Sequence, residues 1–466
     1  MKNQHFLIIS CAGQGHINPS LQLAKHLIHS GARVTFITTA RGLDAMKSRI
    51  SLDGLSYASF SDRFDDGDRP AEGKAGDSPM LEMRLAGSRS LGDLITSLLS
   101  DGPITCLIYT VLLPWAAEVA RRFHIPSVFL SIQSATTFAI YRRFFDSRNG
   151  LCSNGDYSQS IESIMLHDQL PPFESHDLPS FLLPDNPHSA VIPTFHEHIQ
   201  ILEDDPNACV LLNSFHALEE HTIDAADDIS LIPIGPLLPS AYIEGTKSCT
   251  DVDFGCDLFN CSRRDYIQWL DAKSNSSVVY ASFGSMVVLN EDQIGEIFQG
   301  LLETNRPFLL VIRPNDNAEG TIANKMKGYL DGQEQGLIVP WCSQVEVLNH
   351  PAVGCFVTHC GWNSTLESLA MCVPIVACPH FSDQLTNAKM VDEVWKNGIR
   401  VRARDGGGLV EREEIRRCVE VVMGDGERGE EIRRNALKWK GLAMEAVKEE
   451  GGPSHHNLRV FMDRFK

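Results

Sequence analysis

No two of the 13 cysteines are separated by just two intervening residues, which excludes the CxxC spacing of common structural zinc sites and dithiol redox motifs. The cysteines of "CFVTHC" and "CVPIVAC" lie instead in apolar runs, where a thiol behaves as a small hydrophobe. That usage fits a reducing compartment. No apolar run approaches the ~20 residues of a membrane span, and "HFLIIS" near the N-terminus is too short for the core of a signal peptide. The expectation is a cytoplasmic protein with no stable membrane insertion. Positive charge is in deficit, with 41 Lys and Arg against 60 Asp and Glu and a formal net charge of -19. Nucleic acid and anionic membrane surfaces are therefore excluded as main partners.

What is present is the composition of a globular protein, 43% hydrophobic and 22% charged over 466 residues, long enough for two domains with separate cores. Two series of apolar runs alternate with amphipathic helical stretches. "HFLIIS", "RVTFITT", "TCLIYT" and "SVFLSI" form the first; "SVVYASFG", "FLLVIR", "GLIVPW", "GCFVTH" and "PIVACP" form the second. Short buried runs separated by helices read as parallel strands of doubly wound α/β domains. The polar, glycine-bearing residues 239–263 between the series are expected to be a linker. This gives a first domain over 1–238, a second over 264–450, and a terminal helix in 451–466 packing back on the first. Two such domains leave a cleft between the carboxyl ends of their sheets, where ligands bind.

The loop "CAGQGHINPS" after the first apolar run starts like a phosphate cradle, Gly13-x-Gly15, but carries Asn18 where a dinucleotide fingerprint needs its third glycine. The second run ends in "ITTARG", without the acid that would hold a ribose. Both losses argue against a nicotinamide-dependent oxidoreductase. Asn18 is expected to cap the following helix, with Pro19 in its first turn. His16 then stands on a rigid turn just outside a helix N-terminus, whose partial positive charge favours a neutral imidazole able to accept a proton.

Residues 341–384 read "WCSQVEVLNHPAVGCFVTHCGWNSTLESLAMCVPIVACPHFSDQ". "GCFVT" is a buried strand, "STLESLAM" opens a helix, and "HCGWN" is the turn between them. Backbone N–H groups at such a helix start suit an anionic phosphate. Ser364 and Glu367 also have the spacing of a capping box, which would give Glu367 a purely local role. Trp341 offers a flat face for a base.

This segment resembles, from first tryptophan to last glutamine without a gap, the signature of plant family-1 UDP-sugar glycosyltransferases. "GHINP", "LPWAAEVA", "IGPLLPS", "WLDAKSNSSVVYASFGS" and "GGPSHHNLRVF" carry the resemblance along the chain. It is nearest to the subgroup of anthocyanin 5-O-glucosyltransferases and enzymes forming glucosyl esters of carboxylic acids. The resemblance implies an α/β GT-B fold of two Rossmann-like domains and an inverting transfer of glucose from UDP-glucose to a small, largely apolar plant metabolite. The acceptor oxygen is a phenolic or flavonoid hydroxyl, with a carboxylate as the alternative. A non-catalytic nucleotide-sugar binder is a remote third reading.

Residue by residue, the resemblance implies that Trp341 stacks on uracil while Gln344 and Glu367 bind the ribose. Cys342 and Gly361 belong to the same donor site. His359, Asn363 and Ser364 face the diphosphate, with Ser285 assisting. Trp362, Asp383 and Gln384 hold the sugar, and the final glutamine is associated with glucose. His16 matches the general base. Relatives pair that histidine with an aspartate in "D-x-x-x-P-W"; here "YTVLLPW" places Thr110 there, able to orient an imidazole but not to neutralise an imidazolium. No cofactor or metal is implied, since helix N–H groups and side chains neutralise the diphosphate. Asp66-Gly-Asp68 and Asp251-Val-Asp253 are read as solvated loops, and the spacing of His350, His359, Cys360 and His380 does not suit zinc. The chain is expected to be a monomer.

Overall fold

A computed structural model describes residues 4–46, 51–64, 79–146, 161–183, 186, 189–226, 229–239, 263–313, 321–330, 334–403 and 408–465. The 239–263 linker, apart from its two end residues, and both D-x-D stretches lie outside the described residues. In the first half, β1 (His5–Ile9), β2 (Arg33–Thr39), β3 (Leu55–Phe60), β4 (Cys106–Thr110) and β5 (Ser127–Ser131) are followed by a short antiparallel pair, β6 (Ser163–Ile164) and β7 (Phe173–Glu174), then by β8 (Cys209–Leu212) and β9 (Ser230–Pro233). Seven of these form one parallel sheet in the order 3-2-1-4-5-8-9. The second half gives β10 (Val278–Ser282), β11 (Phe308–Val311), β12 (Gly336–Val339), β13 (Val353–Thr358), β14 (Ile375–Ala377) and β15 (Gly398–Arg400). They pair in parallel in the order 12-11-10-13-14-15.

The strands are apolar at nearly every position because helices cover both faces of each sheet. All five residues of β1 and all five of β10 are buried. Strand order reverses between β1 and β4 in one sheet and between β10 and β13 in the other, so loops leaving these strands open a crevice at each switch point. The two loops singled out in the sequence are those after β1 and β13.

The chain ends in the helix Pro453–Asp463, which returns to the first domain. Ser454 Oγ donates to Gly235 O at 2.7 Å, Asn457 Nδ2 to Pro233 O at 2.9 Å, and the Phe461 and Phe465 rings pack on Phe6. The domains also touch beside the cleft. The indole N–H groups of Trp362 and Trp395 donate to Asn213 O at 2.7 Å and to Leu218 O at 3.0 Å.

One helix start near that contact is fully satisfied. Glu219, buried in the first domain, accepts from Ala135 N, Thr136 N, Thr136 Oγ1 and Ser214 Oγ at 2.6–3.0 Å. Ser134 caps Thr137 N of the same helix, Ala135–Phe145. Burial pushes the Glu219 carboxyl above the ordinary carboxylate range, against the pull of those donors. All three leading N–H groups are thus taken by side chains.

Candidate active site

The helix starts at the two switch points are treated differently. At the first, Gly13 is extended and offers no side-chain cap; its carbonyl accepts from His16 N and Ile17 N, both at 2.9 Å. The helix Gln14–His29 therefore begins before His16, which lies in its first turn rather than on a turn outside it. Asn18 and Pro19 are inside the helix, so Asn18 is not its cap and Pro19 is not in its first turn. Helical hydrogen bonding from Gly13 O has already closed one turn before Asn18 is reached. Proline has no N–H to give the carbonyl four residues back, and Gly15 O accepts instead from Asn363 Nδ2 of the second domain, at 2.9 Å. The interior proline thus leaves an acceptor for the facing loop.

His16 is half-buried. Its Nδ1 is enclosed without a hydrogen-bond partner, and burial lowers its pKa to about 4, leaving it neutral and free to take a proton. Thr110, the last residue of β4, is wholly buried, and its Oγ1 likewise has no partner. The orienting hydrogen bond expected between them is therefore not formed. Among the described residues no carboxylate bonds the imidazole either.

A second histidine beside this loop carried no sequence signal beyond being one polar residue in an amphipathic helix. His198, on the helix Ile192–Glu203, accepts from Leu112 N at Nε2 (3.2 Å), two residues after Thr110. Leu112 has φ +74°, a conformation a branched side chain rarely adopts. The His198 ring lies parallel to Tyr109 at 5.7 Å and packs on Phe129 at 4.7 Å, and burial lowers its pKa to about 3. It stays neutral and holds the loop that follows Thr110.

At the second switch point the helix Trp362–Met371 has Gly361 at its cap position and again no side-chain cap. The expected capping box is absent, because Ser364 is already the third helical residue. Glu367 turns instead to Gln344, whose Nε2 donates to Glu367 Oε2 at 2.7 Å and to Ser364 Oγ at 2.8 Å. Three of the expected donor-site residues are thereby brought together, with half-buried Trp341 just before them. Cys342 is buried with its sulfur 3.4 Å from Tyr280 Oη, so its side chain serves the core.

His359 is wedged between two glycines. A Cβ on Gly284 (φ +71°) or on Gly361 would stand 2.6 Å from its ring, so both must stay glycine for the loop after β10, which carries Ser285, to approach the loop after β13. Arg313 braces the first of these by donating to Ser285 O and Val287 O. Burial first, then proximity to His380 and Arg313, lowers the His359 pKa to about 3. The ring is a neutral hydrogen-bond group beside open helix N–H groups. Trp362, expected at the sugar, spends its indole on Asn213 and keeps only its backbone for a ligand. After β14, Asp383 ends the turn and Gln384 opens the helix Gln384–Lys389. Asp383 Oδ2 accepts from Asn387 Nδ2 at 2.8 Å; Gln384 Oε1 accepts from His380 N and Phe381 N at 2.9 and 3.1 Å. Burial raises the Asp383 pKa.

The site thus offers two helix N-termini without side-chain caps, joined by the Asn363–Gly15 bond, with a neutral imidazole on one of them. Such ends bind anions through backbone N–H groups and the helix dipole. Among the described residues no three His, Cys, Asp or Glu side chains converge as metal ligands.

Comparison with known proteins bears on the family and the fold. The sequence model of the UDP-glucoronosyl and UDP-glucosyl transferase family matches residues 236–430. UDP-glycosyltransferase 75C1 of Solanum lycopersicum is 48% identical over 99% of this chain and 98% of its own. An anthocyanidin 3-O-glucoside 5-O-glucosyltransferase of Verbena hybrida is 43% identical over 99% of both. Among solved structures, Os79 of O. sativa in complex with UDP superposes with a TM-score of 0.85 at 31% identity, covering 99% of this chain and all of that one.

Proposed function

The chain belongs to the UDP-glucosyl transferase family and has its GT-B fold, and from that premise we propose that it transfers glucose from UDP-glucose to a phenolic hydroxyl of a small, apolar plant metabolite. The observation that carries the proposal is the pair of uncapped helix starts facing one cleft, with His16 on one and His359, Asn363 and Ser364 on the other. In this reading Trp341 stacks on uracil, Gln344 and Glu367 take the ribose hydroxyls, and Asp383 and Gln384 take glucose. The open N–H groups at 362–364 stabilise the departing diphosphate, so the reaction draws on no metal. His16 removes the acceptor proton as its oxygen attacks the anomeric carbon from the face opposite UDP, inverting that centre. The Verbena relative, named for an anthocyanidin glucoside, supports a phenolic acceptor. No described helix is long and apolar enough to cross a membrane, and the reading places the enzyme in the cytoplasm.

One observation favours a second acceptor class. His16 has no carboxylate partner and a pKa near 4, which makes it a weak base. A carboxylic acid is ionised at neutral pH and needs no base, whereas an aliphatic alcohol needs a strong one. Product analysis with UDP-glucose and a panel of flavonoids, carboxylic acids and one aliphatic alcohol tests this. Glucosides of phenols stable to mild alkali are expected, and little or no turnover of the alcohol. Alkali-labile products from acids alone would assign ester formation instead, and efficient use of the alcohol would overturn the argument from the weak base.

A further inference from the structure

Ser382, just before the sugar-site pair Asp383 and Gln384, has φ +61°, a left-handed conformation that costs a serine energy and persists only where neighbours impose it. Those neighbours belong to the other domain. Ser382 N donates to Ser180 Oγ at 2.7 Å, and Ser180 N donates to Ser382 O at 2.9 Å. Three residues earlier, Asp177 is only 1% exposed and accepts from Lys389 Nζ at 2.7 Å and from the Arg400 guanidinium at 2.6 Å. Its own carbonyl accepts from Thr386 Oγ1 at 2.7 Å. Ser180 thus holds the turn entering the helix Gln384–Lys389, and Asp177 holds the far end of that helix. The strap is rooted in the first domain, where the Phe181 ring packs on Phe195 at 5.4 Å.

A buried carboxylate between two cations is a poor source of net stability, since the attraction mostly offsets lost hydration, but it is exacting about geometry. We propose that Asp177 and Ser180 are positioning residues for sugar recognition: the first domain sets the placement of Asp383 and Gln384, so glucose is recognised only when the two domains are docked. The inference rests on the reading that this pair holds the donor sugar.

Calorimetric titration and steady-state kinetics of the full chain separate the two. For Asp177→Asn and Ser180→Ala, the Kd of UDP is expected to stay within about twofold of wild type, because in the proposed reading its uracil, ribose and diphosphate meet residues 341–367, which the strap does not touch. The KM for UDP-glucose is expected to rise about tenfold, the worth of one lost hydrogen bond near 1.4 kcal/mol, and the preference over UDP-galactose to narrow. If Asp177→Asn fails to fold, Ser180→Ala, which removes one hydroxyl, carries the test. Equal weakening of UDP and UDP-glucose, or no change in folded variants, would overturn the strap's role. A wild-type protein that does not distinguish UDP-glucose from UDP-galactose would overturn the sugar-site reading beneath it.

Discussion

Replacing His16 by alanine is expected to lower kcat for glucosyl transfer to a phenol by about 10²- to 10⁴-fold, the usual worth of a positioned general base, with UDP affinity unchanged. The imidazole contributes nothing to nucleotide contacts in this account, so the loss falls on the chemical step. Its pH signature is distinctive. Burial lowers the pKa from 6.5 to about 4, so the ring stays unprotonated well below the range in which an exposed histidine charges. The acidic limb of kcat/KM, which reports the free enzyme, should therefore fall near pH 4 and not near 6.5. The sign for stability runs the same way. The unfolded chain binds a proton below 6.5 that the folded one refuses, so this residue costs stability as pH falls from 6.5 toward 4. An alanine variant with undiminished kcat would remove His16 from the mechanism.

The second large effect is expected at Glu367. Its carboxylate accepts from Gln344 Nε2 at 2.7 Å and, in the proposed complex, from ribose. Glu367→Ala should weaken UDP-glucose about 100-fold, close to 3 kcal/mol, since hydrogen bonds to a charged group contribute ~1.5–3 kcal/mol each. Titration with UDP and with 2′-deoxy-UDP separates the roles. Wild type should prefer UDP strongly, and the variant should hardly distinguish them. A variant that still prefers UDP as wild type does would leave Glu367 a packing residue of its helix.

Much of this site was legible because covered parallel sheets write their strands as unbroken apolar runs. "HFLIIS" and "SVVYASFG" read as buried strands, and the sheet order then places the residues after them at switch points. Edge elements were less readable. In β3, "LSYASF", only Phe60 is fully buried, and the edge strands β9 and β15 are four and three residues long, too short for periodicity to register. Helix starts were misjudged for a different reason. Asn18 and Ser364 have the chemistry of caps, yet each helix begins earlier on a glycine, and the uncapped N–H groups are the ones a phosphate would use. A cap rule assumes the helix end must be satisfied internally, and at a ligand site it is left open. The roles of Trp362, His198 and Asp177 could not be read at all, because each depends on a partner 86 to 223 residues away in the chain. Thr110 was found by position, but only the structure shows its hydroxyl and the His16 ring both without partners.

The anomeric configuration of the product tests the central claim most directly. The enzyme is incubated with UDP-glucose and a flavonoid, and proton resonance spectroscopy of the purified product is followed alongside UDP release. The account predicts a β-glucoside formed mole for mole with UDP, and its loss in the His16→Ala protein. An α-glucoside, or a protein that binds UDP-glucose yet releases no UDP with any phenol or acid, would contradict it.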